Sequence, residues 1–249
     1  MSKLRSGASL DPVVGRQLST AATSTITSQL QRRGIRSTFL SGLSAVGHTT
    51  RMVGVARTVR YLPMREDVRA DYSGDNSAQR VAVEAIEPGE VLVISARGVP
   101  DAGTIGDLYA LRAMARGAAG VVTDGATRDT PAIAALELPV FARAKHGATL
   151  MRTHLAVDTQ VPIDCAGVLI LPGDVLVGDA EGVVVIPRAL VHDVAAAAEE
   201  EQEEETFAAM KLAAGEACDG LFPLTDARRD EFTAWRLKRS ATSAGGAAT

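Results

Sequence analysis

At 249 residues, with 46% hydrophobic and 22% charged side chains, the chain can bury a substantial core and has the composition of a soluble globular protein. Its net charge of −4 supplies no basic footprint for nucleic acid, and no apolar run approaches the roughly 20 residues that a membrane span needs. Cys165 and Cys218 match no zinc or redox spacing, so they are expected as reduced thiols in a cytoplasmic protein.

The opening MSKLRSGASLDPVVGRQLSTAATS is rich in Arg, Ser and Thr, as a transit peptide is. It also carries Asp11 and Pro12, and residues 1–16 are taken as an N-terminal arm. QLSTAATSTITSQLQRR, 17–33, places Leu18, Ala22, Ile26 and Leu30 at every fourth position and predicts one helix ended by Gly34. RMVGVARTVRYL, 51–62, alternates as a strand, and NSAQRVAVEAI, 76–86, is helical, with Pro88-Gly89 turning the chain after it. VLVISA, 91–96, is a continuous apolar strand of the kind buried on both faces. A Gly-containing loop then leads into a helix over 106–116, and AAGVVT, 118–123, is a second buried strand. Strand, helix, strand requires the two strands to be parallel with a right-handed crossover.

LPVFA, 138–142, predicts a third strand of this unit. Residues 161–187 hold three β-rich runs broken by Pro172-Gly173-Asp174 and by Asp179 to Gly182, the pattern of an antiparallel meander. From Arg188 the chain is one long helix ending near Gly215. Residues 17–215 are thus expected as one α/β domain. A C-terminal helical extension over 216–240 follows, with a short amphipathic turn around Phe232 and Trp235, and then a small, polar, disordered tail over 241–249.

Parallel strands collect ligand sites at their carboxyl ends, where the following loops share a crevice. The strand at 91–96 ends in the loop leading to Gly106-Asp107, and the strand at 118–123 ends in the loop carrying Arg128-Asp129. If the strands are neighbours, Asp107, Arg128 and Asp129 meet. Gly103 and Gly106 let the backbone approach a ligand closely, and the helix after Gly106 offers free N–H groups to an anion. Arg128 presents a planar fork suited to a carboxylate. Asp129 and Asp107 offer two oxygen donors, enough for a magnesium or manganese ion that keeps several waters. Such a pairing suits a 2-oxo acid. The competing reading, left open by the residues alone, is that Asp107 caps its helix and Arg128-Asp129 is a solvated turn pair.

The remaining polar residues read more simply. His48, His146, His154 and His192 lack metal spacing; His146, after the third strand, is placed where it could line the crevice, but all four are expected to be structural or exposed. Asp174 and Asp179 are expected in turns, and Asp124 either supports the site from behind or, the favoured reading, is a plain turn residue. Cys165 has no base in view for a nucleophilic role, and GTIGDL is too short for a phosphate loop. The run Glu199 to Glu205 reads as a solvated helix face, though it is more acidic than solubility requires.

Gly106-Asp107, twenty residues, then Arg128-Asp129 resembles the signature of the metal-dependent pyruvate aldolases that cleave 4-hydroxy-4-methyl-2-oxoglutarate and 4-carboxy-4-hydroxy-2-oxoadipate. These share a fold with the regulator of ribonuclease activity A (RraA). ARGAAGVVTDGATRD, LPVFAR and PGDVLVGDAEGVVVIP agree, and the similarity runs from about Leu18 to about Gly215, closest to a longer branch of the family. The resemblance implies a swivelling β/β/α domain assembled as a trimer or hexamer. It also implies Mg²⁺ or Mn²⁺ held by Asp129 directly and by Asp107 through water. Arg128 and the N–H groups after Gly106, such as that of Leu108, would bind the pyruvyl carboxylate. Arg128 and Asp107 would then serve retro-aldol release of pyruvate through a metal-stabilised enolate, with oxaloacetate decarboxylation as a side activity. A neighbour's acid from 199–205 would complete the site, and Pro63 to Asp67 is where the substrate's far end is expected. Two other functions fit the resemblance: a ribonuclease-inhibiting interaction protein, and a dehydratase or decarboxylase of sugar acids. Retention of Asp107, Arg128 and Asp129 favours the lyase.

Overall fold

Asp11 opens the first helix: its carboxylate accepts the N–H groups of Val13 and Val14, and Pro12 suits the first helical turn. The computed structural model describes residues 9–245, and in it α1 (Pro12–Thr20) and α2 (Thr23–Arg32) stand where a single helix over 17–33 was expected. The expected boundary after residue 16 therefore falls inside α1. Ala21 and Ala22 are extended, and Thr23 is held at 2.8 Å through both its N–H and its hydroxyl by the carboxylate of Asp179. That cap comes from 156 residues away, so no local signal announces the break.

The strands assemble around the expected parallel unit. After β1 (Ser44–Ala45) come β2 (Met52–Pro63), α3 (Ala78–Glu84), β3 (Glu90–Ser95) and a short β4 (Gly103–Ile105). Then follow α4 (Asp107–Ala115), β5 (Gly120–Thr127), α5 (Thr130–Ala134), β6 (Val140–Lys145) and β7 (His154–Thr159). β2, β3, β5 and β6 pair in parallel, and the nine-stranded sheet runs β1-β6-β5-β3-β2 and on through the antiparallel β10 (Val175–Gly178) and β11 (Val183–Ile186). β4 adds to the far end of β5, and β7 to the far end of β2.

The apolar runs are continuous because both faces are covered. Leu92 and Ile94 of β3 pack with Val121 of β5 under α3, α4 and α5, while Val91 and Val93 pack with Val122 on the other face. There the cover is a separate hairpin, β8 (Ile163–Cys165) and β9 (Val168–Ile170), turned by Ala166 and Gly167 at φ 53° and 80°. The meander expected over 161–187 is thus two hairpins in two sheets. Its first β-rich run folds back on itself through Ala166-Gly167 and leaves the main sheet.

α1 and α2 pack Val14, Leu18, Ile26 and Leu30 against Val175, Val177, Val184 and Ile186, together with α6 (Val191–Ala213). The acids of α6 are largely spent within the chain. Glu199 accepts from Gln17, Glu201 pairs with Arg32 and Gln29, and Glu204 pairs with Arg229. The excess charge over 199–205 is thereby explained as stitching α6 to α1, α2 and α7 (Asp226–Gly245). α7 is a twenty-residue helix, longer than the turn expected, anchored by Phe232 and Trp235 on Phe207 with ring centroids 5.7 and 5.6 Å away. It takes in 241–245 of the expected tail. Residues 1–8 and 246–249 lie outside the described residues. Among the described residues no helix is long and apolar enough to cross a membrane.

Candidate functional site

β3 and β5 are direct neighbours, with Val91 opposite Gly120 and Ile94 opposite Thr123. Beyond Ser95 the chain leaves the sheet and returns as β4, which lies parallel to the upper half of β5, Gly103 opposite Ala126 and Ile105 opposite Thr127. β5 is therefore longer than expected, and Asp124 sits within it at 2% exposure instead of in a turn. Its carboxylate accepts the N–H groups of Ala96 (2.5 Å), Gly98 (2.8 Å) and Ala166 (3.3 Å), tying the β3–β4 loop and the β8–β9 hairpin to one point. Burial raises its pKa above the usual carboxylate value despite these bonds.

β4 delivers the first half of the site and β5 the second. The Arg128 N–H donates to the Ile105 carbonyl at 2.9 Å, so the loops converge as the strand order requires. Two glycines make the approach possible. A Cβ on Gly103 would lie 2.5 Å from Cβ of Arg128, and one on Gly106 would lie 2.9 Å from Oδ2 of Asp129. Thr104 between them is fixed from beneath, its carbonyl accepting from the Tyr61 hydroxyl (3.0 Å) and Gln79 Nε2 (2.6 Å).

Gly106 is the cap residue of α4, and Asp107 is its first helical residue, one position inside the cap role weighed above. Asp107 Oδ1 accepts the Leu108 N–H at 2.7 Å, and the Leu108 side chain stands at the rim, 76% exposed. Asp129 takes the left-handed conformation, φ 54°, which non-glycine residues adopt rarely and asparagine and aspartate most readily. Its Oδ2 lies 3.4 Å from Arg128 Nε, with both side chains more than a third exposed. Neither Nη of Arg128 has a protein partner among the described residues. Gly103, Gly106, Asp107, Leu108, Arg128 and Asp129 all line one cleft of about 300 Å³.

Among the described residues no group of three or more His, Cys, Asp or Glu side chains gathers as a ready ligand set. Asp129 and Asp107 are two hard oxygen donors in an open cleft. Such a set fits a magnesium or manganese ion that keeps most of its waters, and fits neither a tetrahedral zinc site nor a calcium cage.

Residues that sequence reasoning missed are Gln79, Thr104, Tyr109, Thr149, Leu150 and Met151, which also line the cleft. β4 is three residues long and 149–151 carry no motif, so only topology could have found them. The segment expected to meet the substrate's far end lies elsewhere: Pro63, Met64 and Arg65 line a separate groove with Leu155 and Val157. His146 accepts the Ala148 N–H within its own loop. His154 is fully buried, and its pKa is lowered to about 4 by burial and by Arg97. Cys165 is buried, with its pKa pushed well up by burial and the nearby Asp124 charge, in keeping with an inert thiol. Asp174 and Asp179 do more than turn the chain: Asp174 accepts the Leu171 and Arg188 N–H groups, and Asp179 caps α2.

A protein of Halalkalibacterium halodurans named "Putative 4-hydroxy-4-methyl-2-oxoglutarate aldolase" is 39% identical over 154 residues, 62% of this chain and 68% of the relative. The crystal structure of Streptomyces coelicolor RraAS2, described as an unusual member of the RNase ES inhibitor RraA protein family, is 30% identical with a TM-score of 0.75, covering 82% of this chain and 99% of that one. An uncharacterized protein from Pseudomonas syringae, 26% identical, also superimposes with a TM-score of 0.75 over 86% of this chain and 99% of its own. The model of the RraA-like family, described as Aldolase/RraA, matches residues 23–185, and those residues include both converging loops. The chain belongs to the RraA-like (Aldolase/RraA) family.

Proposed function

We propose that the chain is a divalent-metal-dependent lyase that cleaves a 4-hydroxy-2-oxo acid and releases pyruvate. The observation that carries this reading is the convergence of Arg128, whose Nη groups have no partner among the described residues, and the two carboxylates of Asp129 and Asp107 on one cleft. Arg128 is suited to grip the substrate's C1 carboxylate as a fork. The same carboxylate takes the place of Asp107 Oδ1 at the Leu108 N–H, where the first turn of α4 favours negative charge. Asp129 and Asp107 would hold Mg²⁺ or Mn²⁺, which supplies Lewis acidity at the C2 keto oxygen.

In the retro-aldol step the C4 hydroxyl loses its proton through water to Asp107, and the C3–C4 bond breaks to give an aldehyde or ketone. Its electron pair passes to the C2 oxygen as an enolate. Arg128 offsets the charge that develops there, and protonation at C3 gives pyruvate. Oxaloacetate, losing CO₂ to the same enolate, is the expected side substrate. The two-acid set is open to completion by another subunit, so assembly as a trimer or hexamer accompanies the proposal and is read by light scattering.

A lactate-dehydrogenase-coupled pyruvate assay over 4-hydroxy-2-oxo acids and oxaloacetate tests the reading. Pyruvate should appear with Mg²⁺ or Mn²⁺, vanish with EDTA, and fall at least about 100-fold in Arg128→Ala. Full turnover in EDTA or in Arg128→Ala would refute it. The likeness to RraAS2 supports a second reading, a ribonuclease-binding protein. Ribonuclease inhibition that survives loss of Asp129 and Arg128, with no pyruvate from any substrate, would favour it.

A further inference from the structure

The inward stripe of α3 and the turn after it runs through positions 79, 82, 83 and 86, the spacing of one helical face. Ala82, Val83 and Ile86 are fully buried in the core, yet the first place in the stripe is held by Gln79, only 1% exposed. A buried amide there costs stability that an apolar side chain would not, unless its hydrogen bonds are met inside. Gln79 Nε2 donates to the Thr104 carbonyl at 2.6 Å, and the fully buried Tyr61 hydroxyl donates to the same oxygen at 3.0 Å. The Arg128 N–H fixes the next carbonyl, that of Ile105, at 2.9 Å. These two peptides lead directly into Gly106 and the first turn of α4, which carries Asp107 and the Leu108 N–H. Gln79 itself lines the cleft.

We infer that Gln79 is a positioning residue: with Tyr61 it holds the Thr104 carbonyl, places the first turn of α4 against the substrate's carboxylate, and so sets substrate affinity. This rests on the lyase reading, and it concerns a part of the cleft built within one chain. N–H groups bind a carboxylate only over a narrow range of distance and angle, so a turn released from its anchor binds it less well. The carboxylate is gripped alike before and after the C3–C4 bond breaks. Loss of that grip therefore appears in KM more than in kcat. An apolar residue at 79 would complete the stripe of α3 and leave Tyr61 on the carbonyl, so the fold keeps its stability while the turn loses its place.

The test is Gln79→Met, a side chain of similar length with no donor, made in the full chain and assayed with Mg²⁺ present. KM for pyruvate release should rise at least about tenfold while kcat stays within about threefold. The melting temperature should stay within about 2 °C, and amides over 103–108 should exchange with deuterium faster than in the unmodified protein. Tyr61→Phe should show the same pattern more weakly. The double variant should exceed the product of the two single effects, because only there does the shared carbonyl lose both donors. An unchanged KM, unchanged exchange over 103–108, or a KM rise that comes with a melting temperature lowered by more than about 5 °C would overturn the positioning role and leave the lyase standing. If the unmodified protein releases no pyruvate from any substrate, the lyase reading fails, and calorimetric binding of oxalate, which has the shape of the pyruvate enolate, then decides the role. Binding about tenfold weaker in Gln79→Met would uphold it, and equal binding, or none to the unmodified protein, would overturn it.

Discussion

Asp124 and Asp129 are five residues apart in one segment, yet the fold treats them in opposite ways. Asp124 lies inside β5 with three N–H groups on its carboxylate and almost no contact with solvent. Asp129 lies just past the strand in a left-handed conformation, its carboxylate 3.4 Å from Arg128 Nε, and faces an open cleft. A buried charge whose acceptors are consumed by backbone organises the structure around it. An exposed charge held in an uncommon conformation is placed for something outside the chain. The difference lies in the partners and not in the residue type.

The comparison breaks most visibly at Asp129. Asp129→Asn is expected to lower metal-dependent pyruvate release about 1,000-fold, equivalent to about 4 kcal/mol, while the melting temperature stays within about 2 °C, because asparagine keeps the left-handed conformation and no buried contact is lost. Loss of both together would show that Asp129 is structural. Asp124→Ala should do the reverse in its primary effect. It strands the Ala96 and Gly98 N–H groups in the interior and is expected to cost roughly 3 kcal/mol in urea unfolding. Activity would fall only as the β3–β4 loop loosens. Unchanged stability in Asp124→Ala would remove the basis for separating the two aspartates.

The parallel unit was legible because its signal is local and strong: VLVISA and AAGVVT are apolar runs of strand length with a helix between them, and their adjacency follows from crossover geometry. That adjacency brings the two loops to one edge of the sheet, and the pairing of β4 with β5 then sets Asp107 beside Arg128 and Asp129. What escaped were features fixed by distant partners. The break between α1 and α2 depends on Asp179, the length of β5 depends on β4, and the hairpin over 163–170 leaves the main sheet to cover Val91 and Val93. The cleft lining at Leu150 and Met151 belongs to the same class, since a three-residue turn has no periodicity to read.

His154 sharpens the comparison from the other side of the loop that Asp124 holds. It is fully buried at the start of β7, its ring 5.7 Å from Tyr61, and Arg97 Nη2 donates to its Nδ1 at 3.1 Å. Burial first, and the Arg97 charge second, depress its pKa from 6.5 to about 4. Between those values the unfolded chain binds a proton that the folded chain refuses, so this group makes stability rise with pH across that window and fall as acid is added. Asp124, whose pKa is raised, has the opposite slope: its folded form holds the proton longer, so it weakens the fold as pH climbs just above the usual carboxylate value. The two therefore separate in titration. From pH 6.5 down to 5, His154 should account for about 1.5 kcal/mol of lost stability in urea unfolding, and His154→Gln should flatten that slope. An unchanged slope in the variant would mean that His154 is protonated in the fold, with Arg97 swung away from it, and that the loop carrying Arg97 is held by Asp124 alone.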